Sequence, residues 1–277
     1  MASALKNLVM RCNPLRVLRI REPVPMWLAV FLGAATVAVI LLLWFAVTSG
    51  APEKRMISPL ILPSPGEVLS AYPTLHREKG LMRGILVSLA RVTGGFLIAA
   101  LVAIPLGIAM GAFTKVRALA NPIAIVGGYI PVAALVPITI AIYGDERQKI
   151  LFLTIAIFVG LLPLIVRAVD RVDDIYLQTA YTLGATRWQA VTRVLVPVAK
   201  CDIYAALRLV YGIGWGYIIL AEVVDAKYGI GFMMSTSQRR GQMDEVYAAL
   251  LVIVAVAITI DFGFKKLGRL LFPYVQE

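Results

Sequence analysis

The stretch Tyr181–Pro197, YTLGATRWQAVTRVLVP, lies between strongly apolar parts of the chain, yet it carries two arginines and a glycine near its middle. It belongs to a longer amphipathic segment, residues 169–199. Helix–helix connections usually take only about 2–8 residues. The length of this segment therefore indicates a function beyond joining two membrane spans.

The residues before Gly184 predict a short amphipathic helix. Val172, Ile175, Thr179 and Leu183 recur at the spacing of one helix face. Gly184 can adopt the left-handed backbone conformation that ends many helices. We therefore expect the first helix to end at this glycine.

The residues after Gly184 predict a second short helix. Thr186 and Gln189 form a T-x-x-Q capping box, in which each side chain binds the backbone of the other residue. Pro197 is expected to close the helix, because proline lacks a backbone N–H. The predicted apolar face of this helix consists of Ala185, Trp188, Val191 and Leu195. Together the two helices would form a compact knob, either lying on the membrane or presented to a partner.

The composition is that of a polytopic membrane protein. Of the 277 residues, 60% are hydrophobic and 16% charged, and the mean hydropathy is +0.84. Soluble domains have about 25% charged residues. The net charge of +11 fits basic cytoplasmic loops better than nucleic-acid binding, because no basic cluster is interleaved with aromatic residues. The two cysteines and single histidine predict no disulfide framework, metal site or cofactor.

Apolar runs predict six membrane-spanning helices in residues 26–277, an all-α permease-like domain. The first run, 26–48, has 23 residues and is too long for a cleaved signal sequence, whose apolar part has about 7–15. Residues 1–25 mix arginines with leucines and suit either an interfacial segment on the membrane or a disordered basic tail. The predicted spans are 26–48, 86–112, 121–143, 150–168, 203–224 and 246–264.

The distribution of Lys and Arg between the two faces predicts the orientation. Six spans place both termini on one side, where the loops carry 15 Lys and Arg residues against 10 on the other side. Cytoplasmic loops carry the excess of positive charge. We therefore expect the N-terminal segment, residues 113–120, residues 169–199 and the C-terminus to be cytoplasmic.

Seven segments in a fixed order resemble the permeases of binding-protein-dependent ABC importers. TAYTLGATRWQAVTRVLVPVA, residues 179–199, is similar to the cytoplasmic loop signature of that family. The other six match the branch that imports nitrate, sulfonates, taurine or bicarbonate. They are LPSPGEVL (62–69), SLARVTGGF (88–96), IPLGIAMG (104–111), IPVAALVP (130–137), LRLVYGIGWGYIILAEVV (207–224) and GIGFMM (229–234).

The resemblance implies the type I importer fold and a set of partners. These are cytoplasmic ATPase subunits, an external substrate-binding protein, a second permease copy and the lipids of a bacterial inner membrane. The chain itself would catalyse nothing, and its cytoplasmic loop would act as a coupling helix. The residues that match the coupling region are Gln178, Thr179, Ala180, Leu183, Gly184, Ala185, Thr186 and Arg187.

The chain departs from the family pattern at four places. Gln178 stands where the loop usually has an acidic residue, and Thr186 replaces a serine. Tyr143-Gly144-Asp145-Glu146 replaces a Phe-Gly-Ile-Gly run, and Gly127-Gly128-Tyr129 stands where an arginine is common. The last two departures lie near the expected pathway, so the transported solute does not follow from the resemblance.

Four residues are candidates for the substrate pathway: Arg91, Tyr129, Pro131 and Glu222. Arg91 could hold an oxyanion through a bidentate contact. Alternatively, it forms a structural pair with Glu222 or another acid, since charge inside a membrane usually faces protein or water. Gly107 and Gly111, like Gly212 and Gly216, are four residues apart and favour close helix packing.

A self-contained secondary transporter or channel is the competing interpretation. It would need coupling-ion sites within its own spans, and their central parts carry almost no acidic residues. The chain also has no P-loop, because the pair Gly-Lys occurs nowhere in it. ATP hydrolysis would therefore take place on a partner subunit.

Overall fold

A computed structural model describes residues 24–51, 53 and 55–274, and every regular element in this part of the chain is a helix. It divides into two units, Met1–Ile57 and Ser58–Glu277. Five of the described helices are long and apolar enough to cross a membrane, and a sharply bent helix pair makes a sixth span if counted as one. The all-α prediction is confirmed, whereas the predicted N-terminal segment 1–25 lies almost entirely outside the described residues.

The first unit contributes one helix, α1 (Met26–Thr48). Its 23 residues include no charged side chain, and about 20 apolar residues suffice to cross a bilayer. Most of its large apolar side chains are exposed, as expected of a helix whose surroundings are lipid.

The second unit contains the remaining helices. They are α2 (Pro65–Ser70), α3 (Tyr72–Arg77), α4 (Leu81–Ala112), α5 (Thr114–Tyr129), α6 (Leu135–Ile142), α7 (Glu146–Asp170), α8 (Asp174–Thr182), α9 (Arg187–Ala190), α10 (Val196–Asp225), α11 (Ile230–Arg239) and α12 (Met243–Leu271). A short 3-10 turn, Val132–Ala134, precedes α6, and a π-helical turn, Val191–Leu195, joins α9 to α10.

The core of this unit lies where α4, α7 and α10 pack together. It is built around large side chains such as Phe152, Ile165 and Trp215, each at most 2% exposed. Glycine lets α4 approach α7 closely, since a Cβ on Gly107 would lie 2.7 Å from Ile165 Cγ2. The packing prediction is thus confirmed for Gly107 and Gly111, whereas among the described residues nothing lies within 4 Å of a Cβ on Gly212 or Gly216.

The predicted third span, 121–143, is wrong as a single helix. The chain instead forms α5 and then turns by 89° before the helix that ends at Ile142. Pro131 explains the break. The residue before a proline is pushed out of the α region, and Ile130 is extended, with φ −71° and ψ 123°. Pro137 causes no such break, because it lies in the first turn of α6, where no N–H is needed.

The predicted end of the second cytoplasmic helix at Pro197 is also wrong. The chain continues from α9 through the π turn into α10, so that Arg187–Val224 is one helical run of 38 residues. Pro197 closely follows the π-helical turn, and the chain stays helical through it. The fifth span is therefore joined rigidly to the predicted knob.

Candidate functional site

The predicted turn between the two short helices is present, and its hydrogen bonds identify its type. Gly184 has φ +81°, in the left-handed region. The N–H of Gly184 donates to the carbonyl of Tyr181 at 2.9 Å, and that of Ala185 to Ala180 at 3.0 Å. These two bonds define a Schellman motif, which satisfies the last carbonyl groups of α8.

The capping box that begins α9 is formed from both sides. The Gln189 N–H donates to Thr186 Oγ1 at 3.3 Å, and the Thr186 N–H donates to Gln189 Oε1 at 2.9 Å. At the start of α8, Asp173 accepts from the N–H of Ile175 at 3.0 Å. Both short helices therefore have fixed ends, and the turn between them is rigid.

The predicted coupling residues divide into an exposed tip and a buried base. Leu183 is 82% exposed at the tip, whereas Ala180 is 7% exposed and lies beneath it. Ala185 is half-buried. The remaining coupling residues are exposed: Gln178, Thr179, Gly184, Thr186 and Arg187. All eight predicted coupling residues, together with Trp188, form the segment that we call the coupling knob.

One member of the predicted apolar face does not face the protein. Val191 and Leu195 are buried, at 8% and 4% exposure, but Trp188 is 69% exposed. Trp188 lies in α9, before the π-helical turn, and its neighbours Ala190 and Val191 are the buried residues of this part of the helix. Trp188 is therefore left on the surface of the knob.

The broken span presents a second exposed surface. Tyr129 is 84% exposed at the end of α5, and Pro131 is exposed in the extended segment that follows it. No residue of α5 is buried within the chain. Within the described residues, no hydrogen bond or ion pair connects Tyr129 or Pro131 to the other two pathway candidates.

Arg91 and Glu222, the other two candidates, form an ion pair. Arg91 is 4% exposed and Glu222 is 0% exposed, and Arg91 Nη1 lies 2.7 Å from Glu222 Oε1. Arg91 also donates to both carboxylate oxygens of Glu146, each at 2.7 Å, and to the carbonyl of Tyr228 at 2.7 Å. We call Ser88, Arg91, Glu146 and Glu222 the Arg91 cluster.

The Arg91 cluster also fixes the start of α11. The Ser88 hydroxyl donates to Glu222 at 2.8 Å and accepts from the N–H of Ile230 at 3.0 Å. Glu222 accepts from the N–H of Gly231 at 2.8 Å. A Cβ on Gly229, at φ +124°, would collide with the Glu222 carboxylate. The sequence Gly229–Gly231 therefore leaves the room that this buried carboxylate needs.

Sequence reasoning did not identify Glu146 as the second partner of Arg91. The signal was present, because Glu146 lies in the segment that departs from the family pattern. A further pair was missed near the middle of α10. Arg208 Nε lies 2.5 Å from Asp261 Oδ1, and Arg208 Nη2 lies 2.9 Å from Oδ2, which joins α10 to α12.

The coupling knob and the Arg91 cluster lie at opposite ends of the same helices. The knob follows the C-terminal end of α7 and precedes α10. The cluster takes Glu146 from the N-terminal end of α7 and Glu222 from the C-terminal end of α10. A movement of the knob along α10 would thus reach the far end of the bundle without an intervening loop.

The chain is similar in sequence to several importer permeases. It is 33% identical over 259 residues to the taurine transport system permease protein TauC of Escherichia coli K12, covering 91% of this chain and 93% of that protein. It is 28% identical to the nitrate import permease protein NrtB of Synechocystis, covering 88% of this chain and 90% of the relative.

The fold is similar to that of a solved transporter. An inward-facing structure of the MetNI methionine ABC transporter matches with a TM-score of 0.63 and 20% identity, covering 72% of this chain and 97% of the matched chain. The family model of the binding-protein-dependent transport system inner membrane component matches residues 103–275. The coupling knob, the broken span and the Arg91 cluster are therefore parts of a permease subunit of an ABC importer, and the chain belongs to the binding-protein-dependent inner membrane component family.

Proposed function

We propose that this permease carries a small anion of the nitrate, sulfonate or bicarbonate class through a pathway between two copies of the chain. An external binding protein would deliver the anion, and two cytoplasmic ATPase subunits would hydrolyse the ATP. Relatives named for taurine and nitrate transport support the anion class. The competing secondary-transporter interpretation is not needed, since the relatives are ABC permeases.

The observation that carries the coupling role is the rigid, exposed turn at Gly184. A connection that only joined two spans would need neither a Schellman motif nor a capping box. Force transmission does need them, because a loosely ordered turn would deform instead of moving the helix behind it. Arg187–Val224 is one helical run. A push on Leu183 or Trp188 would thus be passed directly to the fifth span.

The pathway assignment rests on the broken span. Tyr129 and Pro131 are exposed at a sharp bend, and interrupted helices often line the binding site in transporters. For Arg91 and Glu222 the ion pair supports a structural role. The guanidinium already donates to two carboxylates and a carbonyl, so an arriving anion would have to displace one of them. We assign these two residues to the wall of the pathway and not to anion binding.

Replacing Gly184 tests the coupling role. Gly184→Leu would force a bulky side chain into the left-handed region, at a cost of about 1–2 kcal/mol, and would alter the tip of the knob. We expect the variant to insert into the membrane but to lose bound ATPase on purification and to transport no solute. Both quantities are measured on one preparation.

Gly241→Leu is the matched control for this substitution. Gly241 also has positive φ, at +72°, but lies between α11 and α12 at the end of the bundle opposite the knob. It should keep its ATPase subunits. Full ATPase retention and normal uptake by Gly184→Leu would show that the knob is only a surface connector.

Cysteine labelling tests the proposed orientation. In a chain with Cys12 and Cys201 replaced by alanine, cysteines at the exposed positions Ser70 and Gln238 should react with an impermeant thiol reagent in intact cells. A cysteine at the exposed Thr182 should react only after permeabilisation. Labelling of Thr182→Cys in intact cells would contradict the proposed orientation and favour the opposite one. Ser235 is unsuitable as an outer probe because it is 7% exposed.

A further inference from the structure

A cleft of about 450 Å³ opens between the first turn of α4, the segment before α11 and α11 itself. Its lining includes four basic residues and one acidic residue, Glu78. Small-molecule sites have volumes of about 300–1,000 Å³. The cleft is thus large enough for a compact organic molecule. It lies on the same end of the bundle as the Arg91 cluster but does not include the side chains of that cluster.

Three of the four cations have no ion-pair partner among the described residues. Lys79 is already neutralised, because its ammonium group contacts Glu245 and lies 3.1 Å from both Ser237 Oγ and Gln242 Oε1. Arg83, Lys227 and Arg240 are exposed and have no carboxylate within 4.0 Å in the part of the chain that the structure describes. The cleft therefore carries an excess of positive charge.

Arg83 is held in a fixed position by an aromatic ring. Its guanidinium carbon lies 3.8 Å from the centre of the Tyr228 ring. The backbone of Tyr228 is in turn fixed, since its carbonyl accepts a hydrogen bond from the buried Arg91 at 2.7 Å. Stacking uses the face of the guanidinium and leaves its N–H edge available. That edge matches the two oxygens of a carboxylate or sulfonate.

The start of α4 adds to the positive potential of the cleft. This 32-residue helix begins after Gly80, at φ +66°, with no side-chain cap and no acidic residue in its first turn. The N-terminal end of a helix is electropositive, and Arg83 places a further cation there. The start of α11 differs, because Glu222 and Ser88 accept from its first N–H groups. The Glu222 carboxylate therefore already binds the N-terminal end of α11, whereas no side chain caps the N-terminal end of α4.

We propose that this cleft is a binding site for a small organic oxyanion, a sulfonate or carboxylate. Arg83 would hold the anionic group through its N–H edge, with Lys227 and Arg240 supplying further charge. Phe232 and Met233 also line the cleft and would contact the apolar part of the ligand. The site is separate from the broken span, so its occupancy does not depend on which solute crosses the membrane.

Thermal unfolding in the presence of 1-propanesulfonate tests the site. The permease is purified with its ATPase subunits in nanodiscs of phosphatidylcholine, a lipid without net charge, and no binding protein is added. The melting temperature should rise with 1-propanesulfonate concentration to a plateau, compared with chloride at equal ionic strength. Arg83→Gln should raise the half-saturating concentration about tenfold or more, because a charge-assisted contact is lost.

The neighbouring arginine provides a matched control. Arg240→Gln should weaken the response, whereas Arg239→Gln should leave it unchanged, because Arg239 is exposed but does not line the cleft. Arg83→Lys, which keeps the charge but loses the planar fork, should give an intermediate value. An unchanged half-saturating concentration in Arg83→Gln would overturn the proposal. So would a response that appears only when the binding protein is added, since the cleft would then be a docking surface.

Discussion

The coupling knob and the Arg91 cluster are stabilised in opposite ways. The knob is held by hydrogen bonds between residues three to five positions apart, and its side chains are largely exposed. The cluster is held by charged groups 55 and 131 positions apart along the chain. Two of these charged residues, Arg91 and Glu222, are almost fully buried. The knob can therefore keep its shape while a partner binds it, whereas the cluster holds separate helices together.

The largest effect should come from breaking the Arg91 cluster. Arg91→Met leaves the fully buried Glu222 without its cation, and removing one partner of a buried pair costs about 3–5 kcal/mol. We expect poor assembly or a much lower melting temperature in detergent. Arg147→Met is the control, because Arg147 is 77% exposed and its nearest carboxylate oxygen lies 3.8 Å away.

Transport measurements decide between the two roles considered for Arg91. If Arg91→Met folds and assembles with normal stability but fails to transport, Arg91 belongs to the anion path and not to the wall. Adding Glu222→Gln to Arg91→Met removes the buried negative charge. The double variant should therefore be more stable than Arg91→Met alone.

A smaller effect should come from the knob. Thr186→Ala removes the side chain that accepts from Gln189, and loss of such a cap costs about 1 kcal/mol. Because the bond is local, we expect an almost unchanged melting temperature for the whole bundle but weaker ATPase retention. Thr182→Ala is the control, since the Thr182 hydroxyl donates only to Gln178 within its own helix. Equal ATPase retention by the two variants would count against a mechanical role of the cap.

The same difference explains what the sequence could predict. The turn at Gly184 and the capping box follow from neighbouring residues, and both are present in the structure. The exposed Trp188 was wrongly predicted from a 3.6-residue period, because that period placed it on one face with Val191 and Leu195, whereas Ala190 and Val191 are the buried residues of this turn. The bend before Pro131 also follows from neighbouring residues, because proline restricts the backbone of the residue before it.

The partners of Arg91 could be predicted only in part. Glu222 was foreseen because a charge inside a span requires a partner. Glu146 was not foreseen, because its distance from Arg91 depends on how α4 and α7 pack. That packing does not follow from any local sequence pattern. The start of α11 illustrates the same limit. Gly229 and Gly231 look like turn residues in the sequence, yet their small size also makes room for a carboxylate from α10.

The smallest effect is expected for Glu146→Gln, and it sharpens the comparison within the cluster itself. Glu146 is 58% exposed, whereas Glu222 is 0% exposed, although Arg91 contacts both. Water reaches the Glu146 carboxylate, and Arg91 keeps its buried partner in this variant, so the loss should be smaller than in Arg91→Met. We expect a melting temperature close to that of the unmodified protein and complete assembly. Glu146 begins the helix that follows the broken span, so loss of its charge should act mainly on the movement of that span. The rate of solute uptake should therefore change more than the melting temperature. The measurement is the rate of solute uptake together with the melting temperature. A loss of stability as large as that of Arg91→Met would mean that the two carboxylates contribute equally to stability. The difference in their burial would then not decide which of them matters more.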